Sequence, residues 1–521
     1  MNTINEANGV LVIYTGGTIG SIPKNKKEPN SPLIPLSKDN VDKKGENPLF
    51  DLIQSYDSKY QQIILEGQPI RLDLKSLAEP IDSSNVSPNV WGEIIDIIKT
   101  EYYNYEGFVI LHGTDTMTYT ASILSFMIDR LNKPIIITGS QIPIGNTRSD
   151  AVQNLVTAIE IAAAKSLNKF VVPEVCIFFR NKLLRGCRTI KYSASNYEAF
   201  QSPNMIELGT ADEHIVINEK IVRKGSSQNP DYFKEYSPKV MFVKIAPGVD
   251  IEIIETLLTA ENLEGIILLT YGTGNAPTLT NFLNVIDKSI KQGKIIINVT
   301  QCMSGEVELG LYDVSAGLLS RGVISGLDMT EEAAYTKLCH LLGVYKNKKD
   351  PVSKENLTKE QIIRSVSDEM QINMRGEQRQ SIYNIHFGGG EISEEEESVT
   401  FYKQGEMVGK DSYDHNLVDK AFLRIMGLTE PDGGKTQSAR GKVYINLDDA
   451  NSKSPETGDN FLGSFDKRWN PEAGKENIFL TITDQIKKNI GRDSKINITI
   501  VNENGRKLKW ERMQIGIFAN I

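Results

Sequence analysis

The sequence predicts an α/β protein: two domains of parallel-sheet architecture joined by a linker, followed by an extra mainly-β, sandwich-like module at the C-terminal end. Three observations carry that prediction. Apolar, β-prone runs alternate with amphipathic helical patterns from Gly9 to about Gln378, and such alternation builds a parallel sheet covered by helices on both faces. Two of the runs end in small, hydroxyl-rich turns, Thr15-Gly16-Gly17-Thr18 and His112-Gly113-Thr114-Asp115-Thr116. Beyond residue 380 the texture changes to strand-like segments separated by polar turns, with only two short helical patches. A chain of 521 residues accommodates about three domains at roughly 150 residues each.

Taken in order, Val10 to Tyr14 reads as a buried parallel strand that empties into the first turn. Pro23 to Asn47, rich in Lys, Pro and Asn, reads as a loop and a candidate lid. Asn89 to Tyr102 forms a helix, Gly107 introduces the strand FVILHG, Ser122 to Leu131 is helical, Pro134 opens PIIITG, and Ser149 to Leu167 is a long Ala-rich helix. Val171 to Phe179 supplies another strand. A second alternation has strands at Val240 to Ile245, Gly265 to Thr270 and Lys294 to Val299, with helices at Thr278 to Lys291, Thr330 to Leu342 and Lys359 to Gln378. The glycine run of HFGGG and the four glutamates Glu394 to Glu397 then mark a boundary, and SVTFY, KVYINL, IFLTIT, INITIV and MQIGIF follow as strands. The domains are therefore read as residues 1–217, a linker at 218–238, residues 239–378, and a β module at 381–521.

Composition narrows the function. Hydrophobic residues at 40% and charged residues at 24% describe an ordinary globular chain. A net charge of -9 gives no global electrostatic case for binding nucleic acid or an anionic membrane. Cys176, Cys187, Cys302 and Cys339 form no CxxC pair and the five histidines no HExxH spacing, so neither a disulfide framework nor a zinc cluster is indicated. The expectation is reduced thiols, a metal-independent mechanism, no cofactor, and Cys302 buried. With no basic n-region, no signal-length apolar run and no bilayer-length segment, the expected location is cytoplasmic.

The paired glycines allow a sharp turn and a close backbone approach to a ligand, and they place Thr18 just beyond a strand's carboxyl end, the edge where open α/β sheets bind ligands. A threonine hydroxyl is a weak nucleophile that needs a partner to help remove its proton. Asp115 and a lysine could provide that help.

IYTGGTIG, PIDSSN, FVILHGTDTMTYTA, KPIIITGSQIPIG, TYGTGNAP and NVTQCMSG occur in that order, and together they resemble the asparaginase/glutaminase superfamily, in particular the type I, cytoplasmic bacterial L-asparaginases, over about residues 9 to 378. The resemblance implies an amidohydrolase that converts L-asparagine to L-aspartate and ammonia. It implies that Thr18 is the nucleophile and forms an acyl-enzyme, that Thr114 lies on the opposite side of the amide, and that Lys191 of GCRTIK joins Thr114 and Asp115 in an array with the logic of a catalytic triad. Asp115 would also hold the substrate's ammonium group. Ser83, with backbone N–H groups such as those of Ser84 and Gly17, would hold its carboxylate. His112 is expected to be a packed, hydrogen-bonded histidine. A homodimer or homotetramer is implied as well, because sites of this family are completed across a subunit contact.

Three departures accompany the resemblance. The tyrosine that family members place on the loop after TGGT aligns with Leu33; Tyr14, inside the strand, is a poor substitute by direction, and Glu306 is a candidate partner for Thr18. An effector pocket would use Asn275 and Cys302, but its arginine reads as Leu269, which removes the partner for an effector carboxylate. The tail is additional, and KVYINLDD with FLGSF is similar to the C-terminal β domain of plant-type polyphenol oxidases, implying a sandwich used as a cover or protein-contact surface. These departures motivate two alternatives: a catalytically weakened asparagine-binding or sensing protein, and the asparaginase-like subunit of a tRNA amidotransferase.

Overall fold

The computed structural model describes residues 9–25, 28, 31–37, 62–65, 68–166, 169–309, 313–350, 353–378, 381–387, 390–393, 396, 398–403, 418–428, 438–447, 450–468, 476–489, 496–503, 508–510 and 512–519. Residues 38–47 of the candidate lid and most of Glu394 to Glu397 lie outside the described residues. The chain falls into two compact units. The first contains the described residues up to Thr273, with Gln292–Val307 and Ser325–Gln378; the second contains Gly274–Lys291, Glu308–Ile324 and the residues from Arg379 onward.

The first unit is an α/β structure built on a nine-stranded sheet, whose order is Ile215–Ile217, Gly209–Ala211, Lys182–Arg185, Val175–Phe179, Ile135–Thr138, Gly107–Leu111, Gly9–Gly16, Gln68–Ile81, Gln62–Leu65. Every pairing from Val175–Phe179 across to Gln68–Ile81 is parallel, and the outer pairings are antiparallel. The Gly9–Gly16 strand is buried throughout, and its alternation sorts the core into two layers. Val10, Val12 and Tyr14 pack with Leu155, Ala158 and Ile159 of the Ala151–Ala163 helix. Leu11 and Ile13 face Ile94, Ile95 and Ile98 of the Pro88–Glu101 helix and Met117, Ala121 and Leu124 of the Met117–Met127 helix. Each Val, Leu, Ile or Met among them contributes about 1.5–3 kcal/mol of burial.

A second parallel set joins Val240–Lys244, Gly265–Thr270 and Ile295–Thr300. The Glu331–Asn347 helix covers it and also packs against the Met117–Met127 helix. The next helix, Lys359–Met370, is closed at its start by a Thr358–Gln361 capping box.

Several element ends differ from the periodic reading. The helix expected to continue to Gln378 stops at Met370 because the next segment binds as a strap: Glu377, fully buried, accepts from Lys337 Nζ at 2.6 Å and from the N–H groups of Met374 and Arg375. The helix expected from Ser149 to Leu167 spans Ala151–Ala163, since the Asp150 carboxylate is held by the N–H groups of Gln141 and Ile142. The helix placed at Ser122 to Leu131 runs from Met117 to Met127 and gives way to a short strand, Ile128–Asp129. That strand pairs with Asp231–Tyr232, so the stretch read as a linker contains a strand. In the stretch read as a loop, Leu33–Ile34 pairs with Ile22–Pro23.

In the second unit, Thr280–Lys291 and Asp313–Leu319 are helices. From Ser381 onward two four-stranded sheets form, with the orders 381–387, 512–519, 418–428, 476–481 and 398–403, 496–502, 438–445, 461–468. All their pairings are antiparallel. Ala421, Leu423 and Ile425 of one sheet share a single core with Val443, Ile445, Ile498 and Ile500 of the other, which is the arrangement of a β-sandwich.

Candidate active site

Parallel register brings the motifs together. Tyr14 lies opposite Leu111, and Gly16 opposite Ile81, so three adjacent strands release their chains at the same edge. Thr15 Oγ1 donates to Leu111 O at 2.9 Å and fixes the first turn to its neighbour. Gly17 has φ +80°, in the left-handed region, and a Cβ there would fall 2.3 Å from the Gly113 nitrogen. A Cβ on Gly113 would fall 2.5 Å from Ser83 Oγ. Both glycines are therefore required by contact, and Gly17 by backbone conformation as well, and they let Thr18, Ser83 and the 112–116 turn crowd into one cluster. Thr116 Oγ1 donates to Ser83 O at 2.8 Å and closes it.

Lys191 enters from a fourth segment. It lies in Ile190–Lys191, paired with Phe200–Gln201, after a Gly186–Arg188 turn stabilised by Thr189 Oγ1 donating to Arg185 O at 2.7 Å. Its ammonium donates to Thr114 Oγ1 at 2.9 Å and to Asp115 Oδ1 at 2.6 Å. The lysine side chain is 16% exposed and the aspartate 63%: the cation is enclosed while the carboxylate keeps a face toward solvent. A Lys191 that donates to Thr114 leaves the Thr114 O–H free to donate in turn.

Two hydroxyls are unoccupied. Among the described residues, no intramolecular partner engages Thr18 Oγ1, on the Thr18–Gly20 turn, or Ser83 Oγ. The backbone donors expected beside Ser83 are otherwise committed. Ser84 N–H and Ser84 Oγ both donate to Asp82 Oδ1, at 2.9 and 2.6 Å, and Gly17 N–H donates to Ile81 O at 3.1 Å. The Ser84 hydroxyl and N–H hold the Asp82 carboxyl below its ordinary range. Those two N–H groups shape the turns that present Ser83 and Thr18.

His112 supports the cluster from beneath. Its Nδ1 lies 2.7 Å from Gly113 O and its Nε2 2.9 Å from Thr120 Oγ1. A carbonyl only accepts, so Nδ1 carries the proton; Thr120 donates to Nε2 and accepts from Trp91 Nε1 at 3.0 Å. Burial pushes the imidazole down to about 4, and it is a neutral, packed side chain. Three members of this chain, His112, Gly113 and Thr120, lie in FVILHGTDTMTYTA, and the fourth, Trp91 on the Pro88–Glu101 helix, is signalled by no motif.

The residues considered as substitutes or effectors are placed as follows. Tyr14 is fully buried, its hydroxyl accepts from Leu36 N–H at 3.2 Å, and its ring lies against Gly20; it ties down the loop. Leu33 is 50% exposed. No hydrogen bond joins Glu306 to Thr18 among the described residues. Leu269 is buried in its parallel strand. Asn275 Oδ1 is buried without a hydrogen-bond partner among the described residues. Cys302, expected to be buried, is exposed, because Thr300 Oγ1 takes the Cys302 N–H and itself donates to Gly272 O, turning the chain outward past the strand. Among the described residues no His/Cys/Asp/Glu group could hold a metal ion, and no helix is long and apolar enough to cross a membrane.

Residues 9–223 match the asparaginase N-terminal family and residues 239–352 the glutaminase/asparaginase C-terminal domain family. L-asparaginase 1 of Escherichia coli K12 is 38% identical over 338 residues, 65% of this chain and 92% of that protein. The 60 kDa lysophospholipase of Mus musculus is 35% identical over 346 residues, 64% of this chain but only 58% of that protein. The crystal structure of L-asparaginase I from Vibrio cholerae superposes with a TM-score of 0.58 at 34% identity, over 71% of this chain and 99% of that one.

Proposed function

The chain belongs to the asparaginase family, and from that premise we propose that it hydrolyses the side-chain amide of L-asparagine to L-aspartate and ammonia, with Thr18 as the nucleophile. Support comes from the relatives named L-asparaginase and from one geometric observation above all: two unoccupied hydroxyls, Thr18 and Ser83, lie in the same glycine-lined cluster as a Thr114–Lys191–Asp115 array.

In this reading Thr18 Oγ1 attacks the amide carbon, the C–N bond breaks, and an ester forms. The proton lost from Thr18 reaches the departing nitrogen through the Thr114 hydroxyl, which Lys191 polarises, and the nitrogen leaves as ammonia. Water then attacks the ester and restores the Thr18 O–H as aspartate departs. Asp115, anionic and open to solvent on one side, takes the substrate's ammonium, and Ser83 Oγ donates to its α-carboxylate. Lys191 orients Asp115 as well as Thr114, so binding and chemistry share one cation.

Thr18→Ala is expected to lower ammonia release from L-asparagine by about 10⁴-fold or more; equal rates in variant and wild type would overturn the reading. Leu33, which carries no hydroxyl where the family resemblance expects a tyrosine, favours a second reading in which the site binds asparagine and turns it over poorly. Calorimetry alongside the ammonia assay separates the two: saturable binding without turnover supports the binding protein. We further propose a homo-oligomer, dimer or tetramer, supported by Ile206 at 62% and Met303 at 54% exposure on segments joined by the Asn204–Gly305 hydrogen bonds. Exposed apolar surface of this kind marks contact faces, and light scattering on the full chain reads the state.

A further inference from the structure

We propose that the first unit carries a second binding site, for a small dianionic oxyanion of the phosphate type, in a cavity separate from the Thr18 cluster. The cavity, about 230 Å³, is walled by the segments at 128–131, 173–175 and 223–226 and floored by Arg185 and Arg375. Its walls are stitched together: Ser226 N–H donates to Leu131 O, Arg223 N–H to Glu174 Oε1, and Ile128–Asp129 pairs with Asp231–Tyr232. At about 30 Å³ per water, the space holds a tetrahedral oxyanion together with several waters.

The lining carries an excess of positive charge. Its two carboxylates are already matched, Glu174 by Arg185 at 2.7 Å and Asp129 by Arg375 at 2.7 Å. Arg130 reaches outward to Asp231 at 2.6 Å. Arg130 also has φ +55°, in the left-handed region, and its N–H is held by Asp129 Oδ1 at 2.8 Å; a non-glycine residue kept there is conformational strain maintained by its surroundings. Arg223 and Lys224 remain. Neither has a carboxylate within ion-pairing distance among the described residues. One nitrogen of the Arg223 guanidinium donates to Met374 O at 3.3 Å, leaving the rest of its fork for a ligand. A guanidinium fork beside an ammonium is the donor set that recognises an oxyanion, and two unmatched cations balance a dianion.

The cavity also touches the helix that leaves the candidate site. Met117–Met127 begins directly after Thr116, and Ser125 O near its end accepts from Arg375 Nε at 2.9 Å. The rise along the helix from Thr116 to Ser125 puts the two ends about 13 Å apart. An ion bound here would not compete with an amide substrate.

The test is titration calorimetry of inorganic phosphate into the full chain, against chloride of matched ionic strength. Saturable binding at one site per chain is expected, weakened about tenfold or more in Arg223→Gln/Lys224→Gln, and retained in Thr18→Ala. A double variant of the exposed Lys348→Gln/Lys349→Gln removes the same charge elsewhere and is expected to bind as wild type. Lys224→Gln alone, on an exposed side chain, is expected to weaken binding in the same direction should the double variant fold poorly. Absence of saturable binding in the wild type would overturn the proposal. So would equal weakening in both double variants, or loss of binding in Thr18→Ala.

Discussion

Thr120 shows how much of the candidate site rests on a motif residue that stands away from the reacting groups. Fully buried, it accepts from Trp91 Nε1 and donates to His112 Nε2, while His112 Nδ1–H holds the Gly113 carbonyl in the turn that presents Thr114. Thr120→Val keeps the shape and removes both bonds, stranding two buried polar groups at about 1–3 kcal/mol each. The expected outcome is a loss of about 2–6 kcal/mol in urea unfolding, with a lower kcat from the loosened turn; unchanged unfolding would refute the role given to this chain. The motif residues themselves were legible in the sequence, because strand ends that finish in glycine and threonine announce a turn whatever surrounds them. Their commitments were not. The Ser84 and Gly17 N–H groups are consumed by Asp82 and Ile81, and Cys302 faces outward, because such partners are chosen by neighbours distant in sequence.

At the scale of elements, two buried carboxyls are set by the elements that carry them, one at a helix start and one on a strap. Glu332, at the start of Glu331–Asn347, faces Thr118 on the Met117–Met127 helix with a 3.2 Å hydrogen bond, and burial raises its carboxyl to about 7. Folded, it stays protonated as pH rises from about 4.5 to 7, whereas the unfolded chain releases the proton, so over that window its contribution to stability falls. Glu332→Gln removes the titration: its stability relative to wild type is expected to improve by about 3 kcal/mol between pH 4.5 and 8. A gap that stays constant with pH would contradict the linkage. Glu377 is the opposite case. Although burial opposes its charge, Lys337 and the strap's N–H groups hold its carboxyl below the ordinary range. Glu377→Gln leaves Lys337 buried without its partner and is expected to cost about 3–5 kcal/mol, measured by thermal or urea unfolding. Periodicity located both helices well, yet it ran past Met370, since the end is dictated by the ion pair the next segment makes and not by any break in spacing.

At the scale of the whole molecule, the parallel sheet and the sandwich were unequally readable. A buried parallel strand is a continuous apolar run such as Val10 to Tyr14, which stands out from any background. The sandwich strands carry half as much signal, and Val418–Leu428 was missed because its Phe422, Leu423, Ile425 and Met426 satisfy helical spacing as well as alternation. What resolves the ambiguity is the partner sheet. Alternate residues Ala421, Leu423 and Ile425 meet Val443 and Ile445 from across the sandwich, and Trp510, Met513 and Ile515 fill the space between. All the members of that core lie between Ile392 and Ile515, so the apolar burial that holds the two sheets is supplied locally. A segment with its own core is a folding unit in its own right. The fragment 379–521 expressed alone is therefore expected to show a β-type circular dichroism spectrum and a single cooperative urea transition. A featureless, gradual melt would mean that the two sheets depend on the remainder of the chain, despite a core drawn from their own residues.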